Sequence, residues 1–440
     1  MLAAMPPSRA TSMNQGESPI RDRIRDRGDA CPGALRLHRA DDGALARLRL
    51  PAGLLTGRQA SVLVDAAERL ADGNLSVTSR GNIELRGLGE SCGAELSTLL
   101  ADAGLLPSER HERIRNIVAS PLAGLDRLGH ADVQLWAREL DGLLCAEEWT
   151  TALSGRFLFA LDDGRGDVAG LGGDVTLIAE SGGTAVVRVG SHALRVPGAA
   201  APRAALAAAG AFLAAARAAG NGAWRVRELP AGHAVDLAGA LRRGTEGSTG
   251  SDGIDAEPAP IPHLPSPAPP LPGVVGRAVA VGARLGRVTA AQWRALLPAP
   301  ADELRVTPWR GLVVPGFGDD AAARARLAAL ADAGYLTDPG SPWLGVGACT
   351  GRPGCAKSLA DVRADAVPGA GGLPVHWSGC ERRCGHPHGD WVDVTAVGDG
   401  RYEVTAHTGG TAAPVSGGTL TETVTTARTT SATTTTTATR

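Results

Sequence analysis

The chain contains itself twice. Leu304-Arg305-Val306-Thr307-Pro308-Trp309-Arg310-Gly311 matches Leu75-Ser76-Val77-Thr78-Ser79-Arg80-Gly81 with one residue inserted, and Ala331-Asp332-Ala333-Gly334-Tyr335-Leu336 matches Ala101-Asp102-Ala103-Gly104-Leu105-Leu106. Chance can produce either short match. It does not readily produce both at offsets of 229 and 230 positions with the same elements around them. A period this long means two fused copies rather than a solenoid, so the fold must be built twice and joined at an internal interface. At 440 residues there is ample chain for several domains and a sizeable core.

In the first copy, alternation over Leu45–Leu50 predicts a strand. Thr56 can cap a helix whose Ala60, Leu63, Val64, Ala67, Leu70 and Ala71 share one face, and Gly73 can end it. Strands at Leu75–Thr78 and Ile83–Arg86 flank a turn at Ser79–Asn82, and a second helix follows over Ser91–Ala103. The order is β-α-β-β-α. In the second copy Arg277–Ala283 reads as a strand and Thr289–Leu297 as a helix. A further module follows each copy, the first with strands at Arg156–Leu161, Asp174–Ala179 and Ala185–Val189 and an alanine-rich helix at Pro202–Ala219. The expected division is an arm at 1–28, a half-domain at 29–110, an α/β module at 111–243, a Pro/Gly/Ser-rich linker at 244–272, a second half-domain at 273–339, a second module at 340–408 and a threonine-rich disordered tail at 409–440.

Only the second module is rich in cysteine. Cys349 and Cys355 form a C-x5-C pair, and Cys380 and Cys384 a C-x3-C pair, both in glycine-rich loops. Four thiolates with no histidine inside either pair suit zinc or an iron–sulfur cluster. The first pair is too wide for the two close pairs of a structural zinc, which favours the cluster. Buried cysteines can also be plain small hydrophobes. Adjoining glycines and the Glu381-Arg382-Arg383 interval argue against that here. Cys92 and Cys145 read as ordinary thiols; Cys31, in Asp29-Ala30-Cys31-Pro32-Gly33, is left open.

Net charge is −2, which gives no general attraction to nucleic acid or an anionic membrane. No apolar run of the ~18 residues of a membrane span is expected, and residues 1–28 lack the apolar centre of a signal peptide. A cytoplasmic location follows as the expectation, where thiols and clusters survive. Basic charge is almost all arginine, Lys357 being the only lysine. Arginine's planar fork suits carboxylates.

The cysteine spacing resembles the [4Fe-4S] signature of the siroheme sulfite and nitrite reductase superfamily, and the duplicated order resembles its architecture over roughly residues 29–407. The resemblance implies an α+β fold of two ferredoxin-like half-domains and two α/β modules related by a pseudo-twofold, with one active centre. It implies that Cys349, Cys355, Cys380 and Cys384 hold the cluster, Cys384 beside a tetrapyrrole. Thr78-Ser79-Arg80-Gly81-Asn82 resembles the family's arginine-bearing turn, Arg115-Asn116 with Ser120–Gly124 its Arg-Asn segment, and Arg156-Phe157 its Lys-Phe pair. Arg80, Arg115, Asn116 and Arg156 are therefore the expected tetrapyrrole-binding residues, while Arg86 and Arg310 read as surface charges. Leu158 stands where reductases carry a second lysine. That departure, the short chain, Cys31-Pro32-Gly33, Gly379-Cys380 and Cys384-Gly385-His386-Pro387 resemble the precorrin-3B synthases.

That branch implies a monooxygenase of cobalamin biosynthesis, converting precorrin-3A to precorrin-3B by C20 hydroxylation with γ-lactone formation. O2 and NAD(P)H-derived electrons from an electron-donor protein or reductant would be consumed. A mononuclear non-haem iron is implied; His386 and His388, with a carboxylate such as Asp390, are its candidates and the candidate catalytic residues. The other branch implies a siroheme-dependent sulfite or nitrite reductase.

Overall fold

The computed structural model describes residues 32–243, 253–261, 269–369 and 371–429. The expected N-terminal arm, Cys31, most of the expected linker and the last eleven residues lie outside them.

Each half-domain is a five-stranded sheet backed by helices, and the two sheets exchange a strand. In the first, the order is His38–Ala40, Gly43–Leu48, Ile83–Leu88, Asn74–Val77 and then Arg287–Thr289 from the second copy. In the second it is Gly273–Val275, Ala278–Gly282, Gly311–Pro315, Glu303–Val306 and then Leu54–Thr56 from the first. The exchange is antiparallel on both sides, with Leu55 opposite Leu304 and Val288 opposite Leu75. The crossing point is the same in each copy: Ala52 and Gly53, and Leu285 and Gly286, all have left-handed backbones. A side chain on Gly53 would sit 1.9 Å from the Val306 carbonyl, so only glycine fits there.

The expected helices form, with Thr56 and Thr289 each closing a capping box with the glutamine three residues on. The two half-domains share one core, in which Trp293 is fully buried and donates its indole N–H to the Ala60 carbonyl at 2.9 Å. This merging corrects the expected boundaries: 29–110 and 273–339 are not separable units, because each sheet is completed by the other copy.

The two modules repeat a second pattern. Ile117–Ala119, Phe159–Asp162 and Val175–Glu180 run parallel and continue into the antiparallel Thr184–Val189 and His192–Pro197. Val346–Ala348, Val375–Ser378 and Trp391–Gly398 do likewise, continuing into Arg401–Thr408 and Thr411–Val415. The helix Ala201–Ala219 packs on the first sheet. With the preceding turn it is long and apolar enough to cross a membrane, contrary to expectation, but most of it is buried in this core.

Two further expectations fail. The linker is not wholly without structure: Glu257–Pro258 adds a strand beside His192–Pro197, Ile254 is buried, and Pro269–Pro272 walls a cavity. The threonine-rich tail is ordered through Thr429. Thr411–Val415 is an edge strand, and the helix Leu420–Thr429 buries Val424 and Ala427 against the second module. Too few large apolar residues were visible to predict a helix, yet two small ones on one face suffice when a sheet is already present to receive them.

Candidate functional site

The second module's parallel strands carry the cysteine loops at their C-terminal ends, as Val346–Ala348 leads into Cys349 and Val375–Ser378 leads into Cys380. Ligand-bearing loops commonly occupy this end of such strands. The loops are tied down from both halves of the molecule. Gly379 donates its N–H to the Cys349 sulfur at 3.2 Å. The first half-domain reaches across to the Cys355 loop: Asp41 accepts from the Ala356 N–H, and Arg86, paired with Asp42, donates to the Gly354 carbonyl at 2.8 Å. Arg86 is therefore a buried brace and not the surface charge expected.

All four cysteines are free thiols and electrostatic neighbours. Burial raises the Cys349 thiol, and the thiols of Cys384 and Cys380 add to it. Burial likewise raises Cys384, against which Arg382 and Arg47 act. Four thiolates around one zinc at ~2.3 Å would stand about 3.8 Å apart. Among the described residues no three of these sulfurs lie within 4.8 Å of one another, a wider spread than a single zinc would impose.

Above Cys349 and Cys384 opens a cavity of about 510 Å³ between the first half-domain, the first module and the cysteine loops. Ten arginines line it against two glutamates. Some are already engaged: Arg47 with Glu84 at 2.8 Å, Arg225 with Asp174 at 2.5 Å, Arg383 with Asp393. The cavity is still strongly cationic.

Three of the four expected tetrapyrrole-binding residues line this cavity. Arg80 is on its turn, held by Thr78, whose hydroxyl accepts from the Arg80 and Asn82 N–H groups. Arg156 lies over the Trp224 ring at 4.9 Å, which orients its guanidinium. Asn116 is buried and braces the wall, donating to Gly155 and accepting from Asn82 at 3.3 Å. The fourth, Arg115, does not line it. Its guanidinium makes a two-pronged pair with Asp141, 2.6 Å to each oxygen, and a third bond to the Leu105 carbonyl. Arg115 holds the first module to the half-domain, and its motif position alone gave no sign that the next helix supplies its carboxylate.

The structure does not bring the candidate iron ligands His386, His388 and Asp390 together. His386 stacks on Trp391, which His407 covers from the other side, centroids 5.0 and 4.7 Å away. His386 faces the arginine cavity and His388 a separate, largely apolar one of about 210 Å³. Asp390 is occupied, accepting from the Gly409 N–H at 2.9 Å. Among the described residues these three form no converging metal-ligand group. Loss of water and the charges of His386, Arg80, Arg225 and Arg227 hold His388 down to about 4, so it is neutral at pH 7.

Two residues were missed. Arg310 lines both cavities and donates to the Gly385 carbonyl at 2.8 Å. His376 is fully buried with Nε2 3.0 Å from the Cys384 carbonyl. Arg310 was legible in the repeat, as the counterpart of Arg80; His376, inside a strand, carried no sequence signal. Leu158 lies in a small apolar cluster with Val118, Ala160, Val168 and Leu171, packed by Trp309.

Residues 37–102 match the family model of the nitrite/sulfite reductase ferredoxin-like half domain. A precorrin-3B synthase of Sinorhizobium sp. is 27% identical over 84% of this chain and 81% of its own. Shorter matches join the chain to ferredoxin–nitrite reductases, 38% identical over 18% of this chain in Leptolyngbya laminosa and 33% over 28% in Synechococcus elongatus, covering 16% and 25% of those proteins. The solved NirA protein of Mycobacterium tuberculosis shares the fold, with a TM-score of 0.61 and 21% identity over 83% of this chain and 74% of its own.

Proposed function

We propose that the chain is a member of the nitrite/sulfite reductase superfamily and, within it, a precorrin-3B synthase-type monooxygenase of cobalamin biosynthesis. It would convert precorrin-3A to precorrin-3B by hydroxylation at C20 and closure of a γ-lactone, consuming O2 and electrons from an external reductant. The observation that carries this reading is the arginine-lined cavity with two of the four cysteines on its floor. A tetrapyrrole bearing many acetates and propionates matches that charge, and each charge-assisted bond supplies about 1.5–3 kcal/mol.

Arg80 and Arg156 would grip substrate carboxylates, with Asn116 and Asn82 fixing the wall behind them. The Trp224 ring, 4.9 Å from the Arg156 guanidinium, would hold it in place for that contact. A [4Fe-4S] cluster held by Cys349, Cys355, Cys380 and Cys384 would supply single electrons. The expected mononuclear iron finds no fit at His386, His388 and Asp390, and no role there is assigned to it. His386 instead closes one rim of the cavity as the top of its aromatic stack, and His388 offers a neutral imidazole to the apolar side. A cytoplasmic location is part of the same proposal, since half-buried thiols of this kind need a reducing compartment.

The second reading is a siroheme-dependent nitrite or sulfite reductase, favoured by the shared fold and the nitrite reductase matches. Leu158 weighs against it, because a buried leucine in an apolar cluster offers no cation where those enzymes are expected to have one. Iron, acid-labile sulfide and visible-spectrum analysis of anaerobically purified protein separates the two. The synthase reading expects a broad brown absorption without tetrapyrrole bands, and conversion of added precorrin-3A to a hydroxylated lactone seen by mass spectrometry. Siroheme bands in the isolated protein would refute it. Cys380→Ser should lose the brown absorption and the turnover together.

A further inference from the structure

Arg310 is built into the protein in a way a surface charge is not. Its backbone is left-handed, φ 60°, a conformation disfavoured for a side chain of this size. Three glycines from three separate segments clear its path: a Cβ on Gly286 would lie 2.3 Å from the Arg310 Cδ, one on Gly347 2.1 Å from its Nη1, and one on Gly385 3.2 Å from its Nη2. The guanidinium runs through this slot to the back of the last cysteine loop and donates to the Gly385 carbonyl, next to Cys384. Arg363 lies nearby, donating to the carbonyl of Leu285, the residue before Gly286, at 3.3 Å. Among the described residues neither arginine forms an ion pair with a carboxylate.

Two half-buried cations side by side without an anion are costly. Burial, with repulsion from Arg363 for Arg310 and from Arg287 for Arg363, lowers both to about 10; Cys349 favours the ionised form of Arg310, and Cys349 followed by Glu84 that of Arg363. For Arg310 the nearby counter-charge is thus on the thiolate side, and Arg363 lines the same cavity as Cys349.

We propose that Arg310 and Arg363 are the charge partners of the thiolate-bound cluster, with Arg310 also positioning the Cys384–Gly385 turn, and that they make the cluster easier to reduce. The inference rests on the cluster named above. An anionic cluster gains a further negative charge when it accepts an electron, from the external reductant or, in a titration, from dithionite. Adjacent fixed positive charge favours the reduced form and raises the potential.

The test is an EPR-monitored redox titration of purified, cluster-loaded protein without tetrapyrrole, comparing wild type with Arg310→Gln, Arg310→Lys and Arg363→Gln. Each glutamine variant should retain iron and sulfide and be reduced with an equilibrium constant at least tenfold less favourable, a shift of ~59 mV to more negative potential. Arg310→Lys, which keeps the charge, should recover most of the shift. Unchanged midpoints in the glutamine variants would overturn the proposal, as would a lysine variant that falls as far as the glutamine. If Arg310→Gln cannot hold the cluster, Arg363→Gln alone decides, and an unshifted midpoint there refutes the charge role. Wild-type protein without iron and sulfide would refute the cluster itself, a distinct outcome.

Discussion

Replacing Arg115 by alanine distinguishes a structural arginine from a substrate-binding one. The side chain is 6% exposed and its partner Asp141 18%. Truncation removes two charge-assisted hydrogen bonds of 2.6 Å and leaves the Leu105 carbonyl without its 3.3 Å donor. Breaking a buried pair from one side costs about 3–5 kcal/mol, most of it the stranded charge. Asp141 keeps some access to water, which places the expected loss near the lower end, about 3 kcal/mol. Urea denaturation followed by far-ultraviolet circular dichroism reads this directly. The double variant Arg115→Met, Asp141→Leu should regain most of the loss, because it strands no charge. Tetrapyrrole affinity of the folded fraction should be unchanged. A loss below about 1 kcal/mol, accompanied by tenfold weaker tetrapyrrole binding, would refute the assignment and return Arg115 to the cavity.

Gly53→Ala should cost at least about 2 kcal/mol, since it adds left-handed strain to a collision with the Val306 carbonyl, whereas Gly73→Ala, with a similar φ and open space around it, should show only the strain of about 1 kcal/mol in the same denaturation assay. Equal losses would mean that the strand exchange does not depend on that close approach. Asp167 offers a test by pH: burial first, then the charges of Asp162 and Asp163, raise its carboxyl from 3.8 to about 7, against the Ser120 hydroxyl and Arg165. The folded protein therefore keeps a proton that the unfolded chain releases, so this contribution is complete below about pH 4 and is lost as pH rises through about 7. Relative to Asp167→Asn, the wild type should lose stability over that window in a pH series of urea midpoints; parallel curves would refute the buried-proton account.

The repeat, the helix caps and the cysteine quartet were legible because each is a local or periodic signal. Thr56 and Thr289 announce helix starts on their own, and two matched segments at nearly equal offsets announce a duplication whatever the fold. The strand exchange was not legible, since Leu54–Thr56 is too short to carry a period and its partner strand lies some 250 positions away. Arg115 and Asp141 are only 26 positions apart, but their pairing depends on the helix Val133–Ala146 docking at one angle, which no local pattern announces. His376 illustrates a third limit: a strand surrounded by apolar residues conceals which of its members faces a loop carbonyl. Motif position found Arg80, Asn116 and Arg156 on the cavity wall, yet could not tell a residue that faces the ligand from one that braces the wall.

Duplication also raises the question of why the two modules differ at the end of their parallel strands, and the strand registers bear on it. In the second module Gly347 lies opposite His376, which leaves the slot for the Arg310 guanidinium and the hydrogen bond to Cys384. In the first module the same register places Val118 opposite Ala160, and both belong to the apolar cluster with Leu158. An arginine driven between those side chains would bury its charge with no acceptor. Arg80, the counterpart of Arg310, instead lies on the wall of the shared cavity. The residue inserted in the second copy supplies the complement, since Trp309 packs on the first module's apolar cluster while its neighbour Arg310 threads the second module's slot. One turn thus closes one module with an indole and serves the other with a guanidinium. Substituting a bulky apolar residue for Gly347 would make the second module resemble the first and should eject Arg310 from the cysteine loop.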